Sequence, residues 1–367
     1  STKTTSVYRF SQDSLKKSGK TPVLTDNLSL SQVSRVRTDI ARRLQRTTFF
    51  INTRATKHVR FYSTKRGLNP LFITGFTDAE GCFSLNIIKD QKSRTGWIIQ
   101  PSFQIDVHER DIVLLQEIQG YFGGNGTIFK KAHEQLIYRV GSFAQIVEVI
   151  IPHFDKHPLV TDKKADYLLF RTVIMDVMRE KKHLTLEGVK DIVAIKASLN
   201  KGLSDNLKAA FPGTIPYNRP CNIHKNIPHP DWMAGFVSGE GCFYVGIKKS
   251  STYKVGFQVM LEFSISQHSR DELLLKSFED YFGCGKLYVS TSWVTFKCHK
   301  FADNMSTIIP FFLKHEVVGV KSADFKDWCL IAYMIQNQEH MTLEGLERIR
   351  LIKIGMNKGR YVESSEE

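Results

Sequence analysis

The chain has 367 residues, of which 42% are hydrophobic and 24% are charged. This composition excludes a peptide-like or wholly disordered protein and allows one large or two ordinary globular domains. The net charge is +14, but residues 1–66 hold 15 basic and 3 acidic residues, which leaves 36 basic and 34 acidic residues elsewhere. The total charge is therefore a poor measure of nucleic-acid binding by the folded body. No apolar run approaches the ~20 residues that cross a bilayer, so no membrane partner is expected.

Residues 1–66 form a basic N-terminal extension that is rich in Ser, Thr and Arg and contains no Glu. This composition is typical of organelle transit peptides. Within it, the run Arg-Phe-Tyr-Ser at 60–63 resembles a mitochondrial presequence cleavage site. The sequence therefore predicts a mitochondrial location. Two other interpretations stay open, a flexible basic arm that contacts nucleic-acid phosphates and a remnant of a fused reading frame.

An internal repeat indicates the architecture. The segment PLFITGFTDAEGCF at 70–83 recurs as PDWMAGFVSGEGCF at 230–243. Shorter matches follow in the same order, at 121–123 and 281–283, at 183–188 and 340–345, and at 200–202 and 357–359. The sequence thus predicts two copies of one α+β unit, at 67–210 and 229–367. Residues 211–228 contain four prolines and little hydrophobic periodicity, so they are predicted to form a linker.

The elements of each copy can be predicted in chain order. Pro70 and Pro230 suit a first helical turn, and Gly81 and Gly241 suit a left-handed residue that ends a helix of about three turns. Alternating apolar and polar residues then predict two strands, each with one buried and one exposed face. The exposed face is rich in Gln, Ser and Asn. Amphipathic helices follow, with counterparts in the second copy, around 111–121, 143–152, 162–179 and 186–200.

Several polar residues are predicted to serve the structure. Thr185 and Thr342 each precede a helix and can cap it. Asp111 and Asp271 are likewise predicted to cap the helices that follow them. Asp78 has a serine, not a carboxylate, at the matching position of the second copy, so it is interpreted as a helix-end residue and not as a metal ligand.

The repeated helix carries small residues at a spacing of four. Gly75, Ala79, Gly235 and Gly239 would let the two helix backbones approach more closely than usual. Packed in this way, the helices would bring Glu80 and Glu240 side by side at their C-terminal ends. Two carboxylates repel each other, and the helix dipoles add negative charge there. A bound divalent cation would relieve this repulsion, and Mg²⁺ favours carboxylates together with waters and phosphate oxygens.

The segments 73–81, ITGFTDAEG, and 233–241, MAGFVSGEG, resemble the two motifs of the LAGLIDADG homing endonucleases, most closely the single-chain type of fungal mitochondrial introns. The resemblance implies an α+β fold of two pseudo-symmetric αββαββα repeats that form a DNA-binding saddle of antiparallel β-sheet. It also implies a monomer and Mg²⁺-dependent double-strand cleavage at a long target. The catalytic acids of the family occupy the eighth motif position, which is Glu80 and Glu240 here, and these are also the implied metal ligands.

The resemblance assigns further site residues. Lys300 corresponds in pattern to a lysine near the scissile phosphates, where it can stabilise negative charge. The matching place of the first copy, near Ser142, has no lysine, so an asymmetric active site is expected. Polar side chains on the strand faces match the family's DNA-reading positions. These are Ser84, Asn86, Gln100, Ser102, Gln104 and Asp106 in the first copy, and Tyr244, Lys248, Gln258, Glu262, Ser264 and Ser266 in the second.

Three functions are compatible with this pattern. The favoured one is a site-specific, Mg²⁺-dependent double-strand DNA endonuclease. The alternatives keep the fold without cleavage, as an RNA-binding maturase acting on intron or ribosomal RNA, or as a non-catalytic component of a larger ribonucleoprotein anchored by its basic arm. Such family members often lose one or both motif acids, and this chain has both.

Overall fold

The structure, a computed structural model, describes residues 67–221 and 226–361. The predicted transit peptide at 1–66 lies outside the described residues. The helices and strands are, in chain order, α1 Pro70–Glu80, β1 Gly81–Lys89, β2 Trp97–His108, α2 Ile112–Tyr121, β3 Thr127–Lys131, β4 Gln135–Val140, α3 143–156, α4 163–178, α5 Leu186–Ser198, α6 Asp205–Ala210, α7 Pro230–Glu240, β5 Gly241–Lys249, β6 Phe257–His268, α8 Glu272–Phe282, β7 Lys286–Val289, β8 Trp293–Cys298, α9 301–314, α10 Lys321–Gln336 and α11 Leu343–Ile354.

Each half contains one four-stranded antiparallel sheet. The strand order is β1-β2-β4-β3 in the first half and β5-β6-β8-β7 in the second. In the central pairs, Ser84 lies opposite Ser102, and Tyr244 lies opposite Glu262. The predicted α+β fold of two repeated units is therefore confirmed. The predicted helices of the first copy are also present, and α3 extends four residues beyond its predicted end.

The helix starts follow the prediction. Pro70 and Pro230 occupy the first turns of α1 and α7, where a missing N–H leaves no hydrogen bond unmade. Thr185 and Thr342 cap α5 and α11, since their hydroxyls accept hydrogen bonds from backbone N–H groups three residues later, at 3.1 and 3.0 Å.

The predicted left-handed ends of α1 and α7 were wrong. Gly81 has φ −78° and ψ 158°, and Gly241 has φ −69° and ψ 152°, so both are extended and begin a strand. A Cβ atom on Gly81 would lie 2.5 Å from Thr77 Cγ2, and one on Gly241 would lie 2.5 Å from Val237 Cγ1. Glycine is therefore needed because the strand leaves tightly against the last helical turn.

Each half has its own aromatic-rich core on the inner face of its sheet. In the first, the ring of Phe83 lies 5.3 Å from the rings of Phe103 and Phe154. In the second, Phe243 and Phe263 lie 5.4 Å apart. Phe83, Phe103, Phe243 and Phe263 project from the strands on the side opposite the polar face, so burial of their rings orients the polar face away from each core.

The seam between the halves is the pair α1 and α7. A Cβ atom on Gly75 would lie closer than 3.0 Å to the carbonyl oxygen of Trp232, and one on Gly235 would approach that of Phe72 as closely. The two backbones therefore touch, as the spacing of small residues predicts. Across this seam, Trp232 Nε1 donates a hydrogen bond to the buried carboxylate of Asp78 at 2.7 Å.

The predicted linker contacts the first half. Within the described residues 211–221 it contains no helix or strand. Its Arg219 forms ion pairs with Asp162 and Asp166 at 2.7 and 2.6 Å. None of the helices in the described ranges is long and apolar enough to cross a membrane.

Replacing Gly75 with alanine should destabilise the protein by about 3 kcal/mol, because the added methyl group meets backbone atoms that cannot move aside. Gly120→Ala is the matched control, since Gly120 is an exposed residue of α2 with no atom within 4 Å of its would-be Cβ. That change should stabilise the protein by about 0.5–1 kcal/mol. Denaturant unfolding measures both, and equal stability of Gly75→Ala and wild type would contradict the backbone contact.

Candidate active site between the two motif helices

Glu80 and Glu240 are the last residues of α1 and α7. Because the helices touch along their length, their C-terminal ends are neighbours. A Cβ atom on Gly239 would lie 3.2 Å from Glu80 Oε1, so the Glu80 side chain lies against the end of α7. The structure thus brings the two nominated acids together, one from each half.

Electrostatics at this seam oppose ionisation of the acids. Burial raises the pKa of Glu80, and the charges of Asp111 and Asp106 raise it further. The pKa of Glu240 is raised to about 7, first by burial and then by the charge of Glu80. Gln267 offsets part of this shift through a side-chain hydrogen bond to Glu240. Two half-buried carboxylates at adjacent helix C-termini form a site that favours a cation.

Two lysines that the sequence analysis missed lie at the same place. Lys163 begins α4, and its Nζ donates to the carbonyl oxygens of Thr77 and Ala79 at 2.9 and 3.1 Å. Lys321 begins α10, and its Nζ donates to the carbonyl oxygen of Gly239. Each ammonium group therefore binds backbone carbonyls at the C-terminal end of its own motif helix, where cations are favoured.

The lysines and the glutamates form one charge cluster. Burial lowers the pKa of Lys163 and of Lys321, while the charges of Glu80 and Glu240 act in the opposite direction on both. The two ammonium groups in turn lower the pKa of each glutamate. The site therefore has pseudo-twofold symmetry in its acids and in its cations.

A signal for these lysines was present in the repeat. His157 precedes Lys163 by six residues, and His315 precedes Lys321 by the same spacing. Extending the comparison of the two copies through this less similar stretch would have paired the lysines. The sequence alone could not show that the segment returns to the end of the motif helix.

The structure places Lys300 elsewhere. It precedes α9, its side chain is 73% exposed, and its Nζ lies 3.4 Å from Asp303 Oδ1. The cations placed against the glutamates are Lys163 and Lys321, one from each half. The asymmetry expected from Lys300 and Ser142 is thus not seen in the cluster around the acids.

The nominated strand residues of the first half share one face of the sheet, opposite the core. Asn86 and Gln100 are paired across the strands and exposed. Ser102 is only 1% exposed, so it can contact a ligand only if its neighbours move. Asp106 lies close enough to Glu80 to raise its pKa. The remaining nominees, Ser84 and Gln104, are partly exposed on the same face.

The second half repeats this arrangement with its own side chains. Tyr244, Lys248 and Ser266 are exposed, Gln258 and Glu262 are partly exposed, and Ser264 is 9% exposed. Two of these residues have partners within the sheet, because Glu262 forms an ion pair with Lys297 at 3.0 Å and Ser266 bonds to Thr295 at 3.0 Å.

The strand pairing adds two basic residues that the sequence analysis missed. Arg139 on β4 lies opposite Gln104, and Lys297 on β8 lies opposite Ser264. Their strands alternate apolar and polar residues, which is a signal for the same exposed face. The sequence did not reveal that β4 and β8 pair with the nominated strands.

Comparisons with known proteins agree with this geometry. A family model described as LAGLIDADG endonuclease matches residues 73–174 and 233–332. The chain is 40% identical over 300 residues to "Probable intron-encoded endonuclease 2" of Neurospora crassa, covering 78% of this chain and 65% of that protein. It is 37% identical over 295 residues to "Probable intron-encoded endonuclease 3" of the same organism, covering 79% of this chain and 55% of that protein. The chain thus spans less than two thirds of the length of either relative.

A solved structure shows the same fold. The crystal structure of the I-SmaMI LAGLIDADG homing endonuclease bound to cleaved DNA is 45% identical in sequence, with a TM-score of 0.78. The match covers 80% of this chain and 98% of that one. Its extent spans both repeats and the seam between them. With two motif helices in backbone contact and a family model matched once in each half, this chain belongs to the LAGLIDADG endonuclease family.

Proposed function

We propose that the protein is a site-specific homing endonuclease that hydrolyses one phosphodiester in each strand of a long duplex DNA target, with Mg²⁺ as cofactor. The observation that carries this proposal is the symmetric cluster of Glu80, Glu240, Lys163 and Lys321 at the seam between two polar sheet faces. A duplex has two antiparallel strands related by local twofold symmetry. A pseudo-symmetric pair of acids and cations can therefore serve both strands from one position.

The donor set at the seam fits Mg²⁺. Glu80 and Glu240 are half-buried carboxylates that repel each other, and both have raised pKa values. Oxygen donors of this kind, completed by water and phosphate oxygens, are those that Mg²⁺ prefers. Glu80 and Glu240 would hold the ion, which when bound neutralises their charge, polarises a phosphate oxygen and activates water.

The lysines supply the complementary charge. An ammonium group has three N–H donors, and Lys163 uses two of them on the carbonyls of Thr77 and Ala79. These bonds hold Nζ beside the acids, so that it can stabilise negative charge that develops on a phosphate in the transition state. Lys321 takes the same role in the second half. Lys300, which the family pattern nominates, is exposed and pairs with Asp303.

The sheet faces are proposed to recognise the target. Their amide, hydroxyl and phenol groups can read base edges in the major groove, and Arg139, Lys248 and Lys297 can neutralise phosphates. The described part of the chain carries both sheet faces in one polypeptide, so a monomer suffices for a long asymmetric target. The proposed contacts are ten of the twelve nominated strand residues, without the buried Ser102 and Ser264, together with Arg139 and Lys297.

A mitochondrial location is proposed from two observations. The composition of residues 1–66 is that of a transit peptide, and the curated relatives are named as intron-encoded endonucleases of a fungus. Retention of both acids favours DNA cleavage over the alternative of an RNA-binding maturase or a non-catalytic ribonucleoprotein component.

Glu80→Gln and Glu240→Gln should each reduce double-strand cleavage at least about a hundredfold, because a neutral amide holds a divalent cation poorly. Binding to DNA should persist. A partially randomised duplex library, incubated with Mg²⁺ and sequenced at the cut ends, measures cleavage, and gel shift measures binding. Glu272→Gln, an exposed glutamate at the start of α8, is the control. Normal cutting by either motif variant would refute the assigned role, and an inert wild type that binds RNA more tightly than duplex would support the maturase.

Replacing each lysine in turn distinguishes the catalytic role of Lys163 and Lys321 from that of Lys300. Lys163→Ala and Lys321→Ala should each slow cleavage about a hundredfold, the usual cost of losing one donor to developing charge. Lys300→Ala, on an exposed side chain paired with Asp303, should leave the cleavage rate unchanged. Single-turnover cleavage of the selected duplex provides the rates. A rate loss confined to Lys300→Ala would instead restore the role that the family pattern assigns to it.

Without divalent cations, Glu240→Gln should be more stable than wild type at pH 8. The folded-state pKa of about 7 exceeds the ordinary value of 4.5, so the stability contributed by the protonated carboxyl is present below pH 4.5 and lost as the pH rises through 7. The variant's advantage should therefore shrink at pH 5. Thermal unfolding in EDTA at both pH values measures this, and added Mg²⁺ should stabilise wild type more than the variant. A stability advantage of the variant that grows toward low pH would show that folding does not raise the pKa of Glu240.

A further inference from the structure

Asp111 and Asp271 do not cap helices, contrary to the sequence prediction. Each ends a short 3-10 turn after the second strand of its half, and neither side chain bonds to the first turn of the helix that follows. Instead, Asp111 Oδ1 accepts a hydrogen bond from the backbone N–H of Val320 at 2.7 Å. Asp271 Oδ1 accepts one from the backbone N–H of Asp162, also at 2.7 Å. Each aspartate thus binds a backbone segment of the opposite half.

The residue after each anchored N–H is an active-site lysine. Lys163 follows Asp162, and Lys321 follows Val320. The anchored peptide group therefore fixes the position of the lysine Cα atom, which lies at the start of the following helix. Because Nζ must reach the end of the motif helix, a shift of this peptide moves or frees the ammonium group.

A second anchor holds each segment from its own half. Asp78 accepts hydrogen bonds from the backbone N–H groups of Val160 and Thr161 at 2.9 and 3.0 Å. In the second half, Ser238 Oγ accepts one from Val318 at 3.0 Å. The motif helix thus fixes the start of the segment, and the aspartate of the other half fixes its end.

Local packing leaves little space around the aspartate contacts. Asp271 is 8% exposed. At the Asp111 contact, a Cβ atom on Gly319 would collide with Asp111 Oδ1, and Gly319 has φ +77°. Glycine at 319 therefore lets the backbone both turn and approach the carboxylate. A charge-assisted hydrogen bond in such a protected position is stronger than an exposed one.

We propose that Asp111 and Asp271 are positioning residues that hold, across the pseudo-twofold axis, the active-site lysine of the opposite half. Asp271 orders Lys163, and Asp111 orders Lys321. Neither aspartate needs to touch DNA for this role. The proposal rests on the proposed nuclease function for its effect on cleavage, while the ordering of each lysine can be measured without DNA.

The first measurement is the reactivity of each lysine. Asp271→Leu and Asp111→Leu remove the acceptor, and acetic anhydride labelling of the free protein followed by mass spectrometry gives the reactivity of Lys163 and Lys321 separately. Asp271→Leu should raise labelling of Lys163 several-fold and leave Lys321 unchanged, and Asp111→Leu should do the reverse. Equal labelling of both lysines in either variant would overturn the proposal. This test does not depend on nuclease activity.

The second measurement is strand-specific nicking of the selected duplex, labelled on each strand in turn. Misplacement of a catalytic group by about 1 Å can slow a step roughly a hundredfold. Asp271→Leu should therefore slow one strand by about ten- to a hundredfold, and Asp111→Leu should slow the other. Equal slowing of both strands would indicate loss of general stability and would overturn the proposal. An inert wild type would instead count against the nuclease function, with the labelling result still deciding the lysine anchors.

Matched variants separate the anchor from charge and from folding. Asp271→Asn and Asp111→Asn keep an acceptor oxygen and lose the charge, so labelling and strand rates should lie between those of wild type and of the leucine variants. Asparagine variants that behave like the leucine variants would overturn the anchor. Glu272→Ala removes a neighbouring exposed charge and should change neither readout. Alanine replaces leucine at either position if thermal unfolding shows that a leucine variant does not fold.

Discussion

The contact between the backbones of α1 and α7 is the constraint on which the rest of the structure depends. A side chain at Gly75 or Gly235 would meet backbone atoms of the other helix, so the two helix backbones are in direct contact. This contact brings two helix C-termini together with a glutamate on each. Because they are partly shielded from water, the carboxylates interact with each other and with nearby cations more strongly than exposed charges do. The same packing that stabilises the seam therefore creates a site where negative charge must be compensated.

The compensation comes from both halves. Lys163 and Lys321 bind the carbonyls at the ends of the motif helices, while Asp78 and Trp232 join across the seam through a buried hydrogen bond. The lysine–carbonyl bonds each lie within one half, whereas the Trp232–Asp78 bond and the charge interactions of the two glutamates cross the seam. The charge cluster is a property of the assembled pair, which links correct docking of the halves to the order of the site.

The net charge of the described body is small, although its proposed partner is a polyanion. Basic side chains such as Arg139 and Lys297 stand among amides and hydroxyls on the sheet faces. Glu262 is paired with Lys297 in the free protein, so part of the cationic charge is already neutralised. Such a surface favours recognition through directional hydrogen bonds, with phosphate contacts supplying a limited, salt-dependent share of the affinity.

The sequence by itself determined the repeat, the starts of the motif helices, the alternating strands and the meeting of Glu80 with Glu240, because these follow from local periodicity and from small residues spaced four apart. Only the tertiary structure decided the extended conformation of Gly81, the placement of Lys163 and Lys321, and the cross-half hydrogen bonds of Asp111 and Asp271. Lys163 meets carbonyls more than 80 residues away in sequence, and Asp111 meets Val320 across 209 positions. The first contact depends on how distant segments of one half pack, and the second depends on how the two folded halves dock. The small residues of the motif helices predict the helix contact alone, and no local pattern encodes the rest of this geometry.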